Sequence, residues 1–409
     1  MIKSVSVQEG GHFHTDKGIA ILLKSFTLQD GMGAFILMCM ELDNFTTWLE
    51  IDLGVLKKNF QILQRATSTT VMPVIKANAY GHGLEEVART LEAAGARWCG
   101  VARIEEALML RAAGVGMKIL VLGYVSPQRI YDVTKHDISL TLYDFALAEE
   151  YAKQAQTLHK KLNTQVKVDT GMGRLGIPHE QAMQFIHLVS SKPEFILEAV
   201  FTHFACADEP DKPYTDQQLT RFQKLVDELD RNGLRPPMIH AANSAAALNY
   251  PQSRFDLVRC GLALYGIPPS RITILPEGIQ PVMVWKTRLI SVKVLPANHG
   301  VSYGFRYFTG KTEKIGVVAA GYADGLRRRS GNYALVRGKR VSVVGNICMD
   351  QCMLQLDDVQ EAKVGDEVIL IGRQGEQEIT AEEIADDWET ISYEVICGMA
   401  ARMPREFIR

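Results

Sequence analysis

The sequence of 409 residues lacks any long apolar run and any marked excess of one charge. Its first apolar stretches, Ile19–Leu23 and Ala34–Met40, are too short to span a membrane, and neither follows the basic segment that a signal peptide requires. The formal net charge is −2, which argues against a nucleic-acid or membrane-surface binder. We therefore expect neither a membrane nor a nucleic acid among its partners.

A regular cysteine framework is also absent. The seven cysteines are an odd number, which fits a reducing compartment, and we therefore expect a cytoplasmic protein. Cys348 and Cys352 are close in sequence, but neither a second pair nor a nearby histidine cluster accompanies them. The sequence therefore predicts small buried thiols and no metal site.

The composition is that of an ordinary globular protein, with 47% hydrophobic and 22% charged residues, and the length suggests two domains. From residue 45 to residue 281, short apolar runs alternate with helical patterns of 3.6-residue period. This alternation predicts a parallel (β/α)8 TIM-type barrel, with a doubly wound sheet as the alternative. The eight runs are Val71–Ile75, Cys99–Ala102, Ile119–Leu122, Ile138–Leu142, Val166–Val168, Leu197–Phe201, Met238–His240 and Leu257–Leu264.

The pattern changes after Pro281. Residues 282–409 show short strand patterns separated by turn residues. Only Thr380–Trp388 reads clearly as a helix, with Thr380 as its N-cap. The sequence therefore predicts a mostly β C-terminal domain.

The stretch Val71–Gly83 is the one around which the barrel is organised. A buried strand ends at Ile75 and presents Lys76, and a loop of small and polar residues leads to a helix that begins at Leu84. An apolar site lowers the pKa of a lysine and frees its amine for covalent chemistry with a carbonyl. The alternative is a lysine whose charge reaches solvent at the rim of the sheet.

Polar segments follow the later strands of the barrel. Active sites of such barrels lie at the carboxyl ends of the strands, so we expect these segments to meet there. They are Lys167–Gly176, Thr202–Ala205, His240–Ala245 and Arg259–Gly266. The second domain adds Val301–Gly304, Gly321–Gly325, Ile347–Asp350 and Ser392–Glu394.

These motifs, together with V-I-K-A-N-A-Y-G-H-G around Lys76, resemble those of the alanine racemases, in the same order from Thr47 to the end of the chain. The resemblance implies an enzyme that uses pyridoxal 5'-phosphate (PLP) and two bases to interconvert L-alanine and D-alanine, supplying D-alanine for peptidoglycan. It also implies that residues 1–44 are an N-terminal extension outside the fold, or that the true start is Met38 or Met40.

The resemblance assigns two catalytic residues. Lys76 would carry PLP covalently and act as a base on one face of the substrate, and Tyr303 would act from the opposite face. A free phenol titrates near ~10, so Tyr303 needs cationic neighbours, for which His203 and Arg259 are the candidates. Taken alone, Tyr303 and His203 would be interpreted as core residues and Arg259 as a partner of Asp256 or of a surface carboxylate.

The same resemblance assigns the binding residues. Arg259 would face the pyridine nitrogen, which then stays unprotonated, and His203 would lie against the ring. Arg174 would bind the phenolic oxygen of the cofactor and, with the Met349 amide, the substrate carboxylate. The phosphate would bind hydroxyls and turn amides of Tyr80, Ser244, Gly261, Leu262 and Tyr393.

Further expectations follow from the resemblance. Tyr322 and Asp350 would line the substrate entrance. Lys167 and Arg174 would repel each other in one pocket, and several racemases resolve this by carbamylating the lysine, so we expect a carbamate on Lys167. The family also implies a head-to-tail homodimer in which Tyr303 and Met349 are contributed across the interface.

Three other functions stay open. A broad-specificity amino-acid or serine racemase would use the same scaffold. A PLP-dependent decarboxylase has a similar barrel, but this sequence lacks the Gly-Gly-Gly phosphate loop expected there. A non-catalytic PLP-binding protein would consist of a barrel alone, which the second domain with Tyr303 disfavours.

Overall fold

The structure is a computed structural model that describes residues 7–9, 24–26, 45–209 and 213–408. It divides into two units, Met1–Thr46 and Thr47–Arg409. In the first unit, the strands Val7–Glu9 and Lys24–Phe26 pair antiparallel. The remainder of the predicted extension over residues 1–44, including Met38 and Met40, lies outside the described residues.

Eight parallel strands form a nearly closed barrel in the second unit, which confirms the predicted (β/α)8 fold. The first strand pairs with the eighth, and the others follow in chain order. A single parallel bridge between Val74 and Gly100 joins the first strand to the second. The strands are Thr70–Pro73, Trp98–Val101, Lys118–Val121, Ile138–Leu142, Leu162–Asp169, Phe195–Phe201, Met238–His240 and Leu257–Cys260.

Helices surround the barrel because their apolar faces pack against the strands. Asp52, Asp144 and Asn243 cap three of them by accepting a hydrogen bond from a backbone amide of the first turn. The helices are Leu53–Thr67, Leu84–Ala93, Ile104–Ala112, Ile130–Lys135, Phe145–Thr157, Ala182–Ser191, Pro213–Arg231 and Ser244–Asn249. Short 3₁₀ turns at Pro127–Arg129, His179–Gln181, Pro251–Ser253 and Leu262–Tyr265, and a strand at Ile177–Pro178, complete the barrel.

The C-terminal domain is mostly β, as predicted. Its sheet contains the strands Thr47–Asp52, Met283–Leu295, Glu313–Val318, Tyr333–Val336, Lys339–Val344, Cys352–Gln355, Glu367–Gln374, Gln377–Ile379 and Arg405–Ile408. A small hairpin of Gly300–Val301 and Tyr307–Phe308 encloses the turn Tyr303–Phe305. The predicted helix spans Ala381–Asp387, with Thr380 as its N-cap. A second helix, Ser392–Cys397, was not predicted.

The first and the last strand of the unit Thr47–Arg409 both belong to the C-terminal sheet. The strand Thr47–Asp52 pairs antiparallel with Met283–Leu295 and parallel with Arg405–Ile408. Residues 47–52 therefore belong to the second sheet, although the sequence assigned everything from 45 to 281 to the barrel. The predicted boundaries at 45, 281 and 282 otherwise stay a prediction.

One core runs through the barrel and the C-terminal domain. Leu49 and Trp285 of the second sheet are fully buried in the same cluster as Phe60 of the first barrel helix. The buried amide of Asn59 bonds Leu264 and Gln280, and so fastens the connection between the domains to that helix. Within the described ranges, no helix combines the length and apolar character needed to cross a membrane.

Candidate active site

A cavity of about 550 Å³ lies at the carboxyl ends of the barrel strands; we call it the Lys76 cavity. Every residue that the sequence assigned to cofactor binding lines it. They are Lys76, Tyr80, Arg174, His203, Ser244, Arg259, Gly261, Leu262 and Tyr393, and Lys167 lies there with them. The topology brings these residues together because parallel strands end at the same rim of the barrel.

The residues after Lys76 form a left-handed turn, which the sequence did not predict. Ala77, Asn78, Ala79 and Tyr80 all have φ between 53° and 55°. Each non-glycine residue in this region costs about 1–2 kcal/mol, so the surrounding structure must hold the turn in place. Such strain is concentrated at functional sites, and here it lies directly beside the candidate lysine.

One neighbouring side chain and two from distant parts of the chain hold this turn. The Ala77 amide donates to Glu106 Oε1 at 2.6 Å. His82 Nδ1 lies 3.1 and 3.0 Å from the carbonyl oxygens of Ala79 and Tyr80. Arg405 Nε, from the last strand, donates to the Gly81 carbonyl at 2.7 Å. Sequence reasoning missed Glu106 and Arg405 because nothing local links them to the lysine.

The Lys76 amine is electrostatically prepared for covalent chemistry. Burial, and next the nearby positive charge of Arg174, lower the pKa of Lys76 below its usual value. Cys397 and Glu106 oppose this shift. A lowered pKa increases the fraction of neutral, nucleophilic amine at neutral pH.

Arg259 is almost completely buried and bonds four acceptors. Its guanidinium reaches His240 Nδ1 at 2.8 Å, His203 Nδ1 at 3.0 Å, and the carbonyl oxygens of Thr202 and Ala241 at 2.8 Å each. Burial lowers the pKa of Arg259 to about 9, which leaves it charged at neutral pH. It does not pair with Asp256, which instead bonds Arg235 and the Ile239 amide.

The two histidines beside Arg259 are neutral. Burial, followed by the charge of Arg259, holds the pKa of both His203 and His240 well below the usual range. Because Arg259 can only donate, Nδ1 of each ring accepts and Nε2 carries the hydrogen. Nε2 of His240 accordingly donates to Gln165 Oε1 at 2.9 Å.

The cationic side of the cavity is formed by Lys167 and Arg174. Burial and then the charges of Arg174 and Arg259 lower the pKa of Lys167 to about 8. The loop that carries Arg174 is organised by Asp169, whose carboxylate accepts hydrogen bonds from the amides of Gly171, Met172 and Gly173.

Hydroxyl groups form a cradle around the turn at Gly261. Ser244 Oγ accepts from the Gly261 amide at 2.9 Å. A Cβ at position 261 would lie 2.5 Å from Tyr80 Oη, so glycine is needed for the phenol to approach this turn. The ring centroid of Tyr80 lies 5.1 Å from that of Tyr265 and 6.2 Å from that of Tyr393. Burial raises the pKa of Tyr393 to about 12, so its hydroxyl keeps its proton.

The other predicted residues lie elsewhere on the chain. Tyr303, Tyr322, Met349 and Asp350 line a cavity of about 860 Å³, which we call the Tyr303 cavity. Within the described part of the chain, this cavity shares no lining residue with the Lys76 cavity. Tyr303 is 72% exposed. One chain therefore carries both predicted catalytic residues without bringing them together.

Arg402 organises the Tyr303 cavity and was missed by the sequence reasoning. Its Nε bonds the buried carboxylate of Asp324, and its Nη2 bonds Asp350, both at 2.8 Å. Asp324 in turn accepts from the Gly321 amide. Arg402 thus joins the loop carrying Tyr322 to the loop carrying Asp350.

Fold and site together define a two-domain barrel enzyme built around a lysine at the end of the first strand. Family models described as the N-terminal and C-terminal domains of alanine racemase match residues 51–269 and 282–407. The chain therefore belongs to the alanine racemase family.

Individual relatives agree with this assignment. The chain is 43% identical to an alanine racemase of Symbiobacterium thermophilum over 370 residues, which covers 90% of this chain and 98% of that protein. It is 41% identical to an alanine racemase of Halothermothrix orenii over 369 residues, which covers 88% of this chain and 96% of that protein.

Solved structures agree as well. An alanine racemase of Clostridium difficile 630 superimposes with a TM-score of 0.84 at 38% identity, covering 89% of this chain and 96% of that one. One of Bacillus anthracis with bound L-Ala-P gives a TM-score of 0.82 at 38% identity, covering 89% and 95%. The predicted activity, alanine racemisation, is thereby confirmed, in a family that is generally PLP-dependent.

Proposed function

We propose that this chain binds PLP on Lys76 and interconverts L-alanine and D-alanine with Lys76 and Tyr303 as the two bases. The observation that carries the proposal is the content of the Lys76 cavity. An amine of lowered pKa, a buried arginine and a cradle of hydroxyls line the same space. This donor set suits an aldehyde, a pyridine nitrogen and a phosphate, respectively.

Each part of the cofactor would have its own binding residues. Tyr80, Ser244, Tyr393 and the turn at Gly261–Leu262 would hold the phosphate through hydroxyls and amides. His203 would lie against the ring, and Arg174 would bind the phenolic oxygen and, with the Met349 amide of a partner chain, the substrate carboxylate. When bound, PLP withdraws electrons from the substrate and makes its α-proton removable.

Arg259 would select the outcome of the reaction. It is charged at neutral pH and can only donate, so a pyridine nitrogen that it faces stays unprotonated. Electron withdrawal by the cofactor would then be weaker than with a carboxylate partner, and this would favour return of the proton to the α-carbon over transamination. The four hydrogen bonds of Arg259 fix the direction of its guanidinium.

Proton transfer requires a group on each face of the substrate. The Lys76 amine would take or return the proton on one face, and the Tyr303 hydroxyl would do so on the other. The two residues line separate cavities of one chain, and Tyr303 is exposed. A head-to-tail homodimer, in which each chain presents Tyr303 and Met349 to the partner's Lys76 cavity, would bring them together.

Lys167 would carry a carbamate. Its pKa of about 8 leaves a neutral amine fraction whose nitrogen would form a bond to the carbon of CO2 and release one proton to solvent. The resulting negative charge would relieve the repulsion between Lys167 and Arg174. A carbon-13 carbamate signal in protein kept in labelled bicarbonate is expected. Absence of that signal, or full activity of Lys167→Ala, would contradict this assignment.

In the cell, the enzyme would act in the cytoplasm and supply D-alanine for peptidoglycan, with Tyr322 and Asp350 at the substrate entrance. Relative rates on alanine and serine test the substrate range. Equal rates would favour the broad-specificity racemase.

Borohydride reduction followed by peptide mapping tests the proposal directly. Borohydride should fix PLP to the protein, and the mapped peptide should carry it at Lys76. Lys76→Ala should take no label and lose racemase activity. A label on another lysine would contradict the proposal.

A further inference from the structure

Glu106 has two kinds of partner. It lies in the first turn of the helix Ile104–Ala112, and its Oε2 accepts from the amides of Ala102 and Arg103 at 2.8 and 3.1 Å. That half of the carboxylate caps its own helix, as acidic residues in a first turn commonly do. Oε1 instead accepts from the Ala77 amide at 2.6 Å, 29 residues away in sequence.

The second partner belongs to the left-handed turn beside Lys76. A strained turn keeps its shape only when its surroundings hold it. The Ala77 amide directly follows Lys76, so a hydrogen bond there fixes the peptide group that joins the two residues. The carboxylate thus connects the loops after the first and second barrel strands through one side chain. A helix cap alone does not require this connection.

We propose that Glu106 is a positioning residue for Lys76, which holds the Lys76–Ala77 peptide and so directs the amine into the cavity. This inference rests on the proposed function, since it concerns Lys76 as the residue that carries PLP. It assigns a role to a residue outside the motifs that define the site.

The charge of Glu106 gives the proposal a distinct signature. The carboxylate opposes the lowering of the Lys76 pKa by burial and Arg174. Glu106→Gln removes this charge, so the pKa of Lys76 should fall further, whereas Glu106→Asp keeps a charge but is too short to span both loops. The charged and titratable groups that line the cavity with Lys76 are Tyr80, Lys167, Arg174, His203, Asp208, Arg259 and Tyr393. Cys397 and Glu106 also act on the pKa of Lys76.

The test compares wild-type holoenzyme with Glu106→Gln, Glu106→Asp and the control Glu105→Gln. Glu105 lies on the same helix, is exposed and pairs with Arg129 at 3.3 Å, so its change should leave Lys76 untouched. Three quantities are measured: the rate of PLP release from the holoenzyme, the pH midpoint at which borohydride fixes PLP to Lys76 when PLP is added back after its removal, and the melting temperature.

Both Glu106 variants should release PLP faster by about fivefold, the ratio that one net hydrogen bond represents. Glu106→Gln should also lower the pH midpoint by roughly half a unit, whereas Glu106→Asp and Glu105→Gln should not. If Glu106→Gln does not fold, the rate of PLP release from Glu106→Asp still tests the inference, because a wild-type rate would contradict it.

A lower melting temperature with unchanged PLP release and pH midpoint would reduce Glu106 to a helix cap and overturn the inference. Wild-type protein that takes no label at Lys76 would overturn the proposed function itself. If wild-type protein is labelled at Lys76 but the Glu106 variants match it in PLP release and pH midpoint, the role of Glu106 is overturned and the proposed function stands.

Discussion

The guanidinium of Arg259 donates to two histidine nitrogens and two carbonyl oxygens inside the barrel. A lysine side chain carries its three N–H donors on one nitrogen atom, so it cannot bond all four of these acceptors. Arg259→Lys should therefore leave buried acceptors unpaired. We expect the free energy of unfolding to fall by about 3–5 kcal/mol, measured by denaturant titration.

The matched control for this change is Arg235→Lys. Arg235 pairs at the surface with Asp230 and Asp256, so its substitution should cost less than about 1 kcal/mol. Equal losses for the two variants would show that the buried network of Arg259 contributes nothing special.

His82 should make stability depend on pH. Burial lowers the pKa of His82 from 6.5 to about 4. Between these values the unfolded chain binds a proton that the folded chain refuses, so the free energy of unfolding falls as pH falls. His82→Asn should remove about 1.4 kcal/mol per pH unit of this dependence between about pH 6 and about pH 5. His159→Asn, at an exposed position, is the matched control.

A wild-type slope in His82→Asn would mean that His82 titrates normally in the folded protein. Unfolding titrations at several pH values provide the measurement. The Asn amide nitrogen can take the place of Nδ1, so the carbonyl contacts to Ala79 and Tyr80 survive in part.

Among individual residues, the sequence predicts those that lie within a short recognisable motif. Lys76 and Arg259 stand at strand ends within recognisable segments, and both line the Lys76 cavity. Glu106, Arg402 and Arg405 act on loops that are far away in sequence. No short-range pattern specifies such partners, since they depend on which loops the fold brings together.

Among the elements, the helix Ser392–Cys397 packs against the left-handed turn. A Cβ at Gly81 would lie 2.3 Å from the Ile396 carbonyl oxygen, and Gly81 has φ +85°. Gly81→Ala should push apart the helix that carries Tyr393 and the turn that carries Tyr80. We expect weaker PLP retention together with a stability loss of more than about 2 kcal/mol.

Gly95→Ala isolates the backbone contribution. Gly95 has φ +97°, but nothing lies within 4 Å of its added Cβ. It should lose only about 1 kcal/mol and keep PLP as the wild type does. If both variants retained PLP equally, close packing of the helix against the turn would not matter for the site.

The barrel strands were predictable because each is a short apolar run between turn residues. The helix Ser392–Cys397 was not, since six residues are too few to show a helical period. Likewise, the pattern of Thr47–Asp52 indicates a strand but cannot reveal that its partners are Met283–Leu295 and Arg405–Ile408. Pairing over such distances is a property of the whole fold.

For the whole molecule, the central feature is the separation of the two predicted bases. Lys76 lies in the barrel, and Tyr303 lies in an exposed turn of the C-terminal domain. Their cavities share no lining residue in the described chain, and we therefore propose that the two-base mechanism uses a second copy. Each site would then combine the barrel of one chain with the C-terminal domain of another.

Racemase activity of heterodimers purified through two different tags tests this account most directly. A dimer of Lys76→Ala with Tyr303→Phe should regain about half of wild-type activity, because one of its two sites contains neither change. Wild type paired with the double variant should be nearly inactive, because each site then contains one change. The reverse pattern, with activity in the second heterodimer and none in the first, would place both bases in one chain and contradict the account.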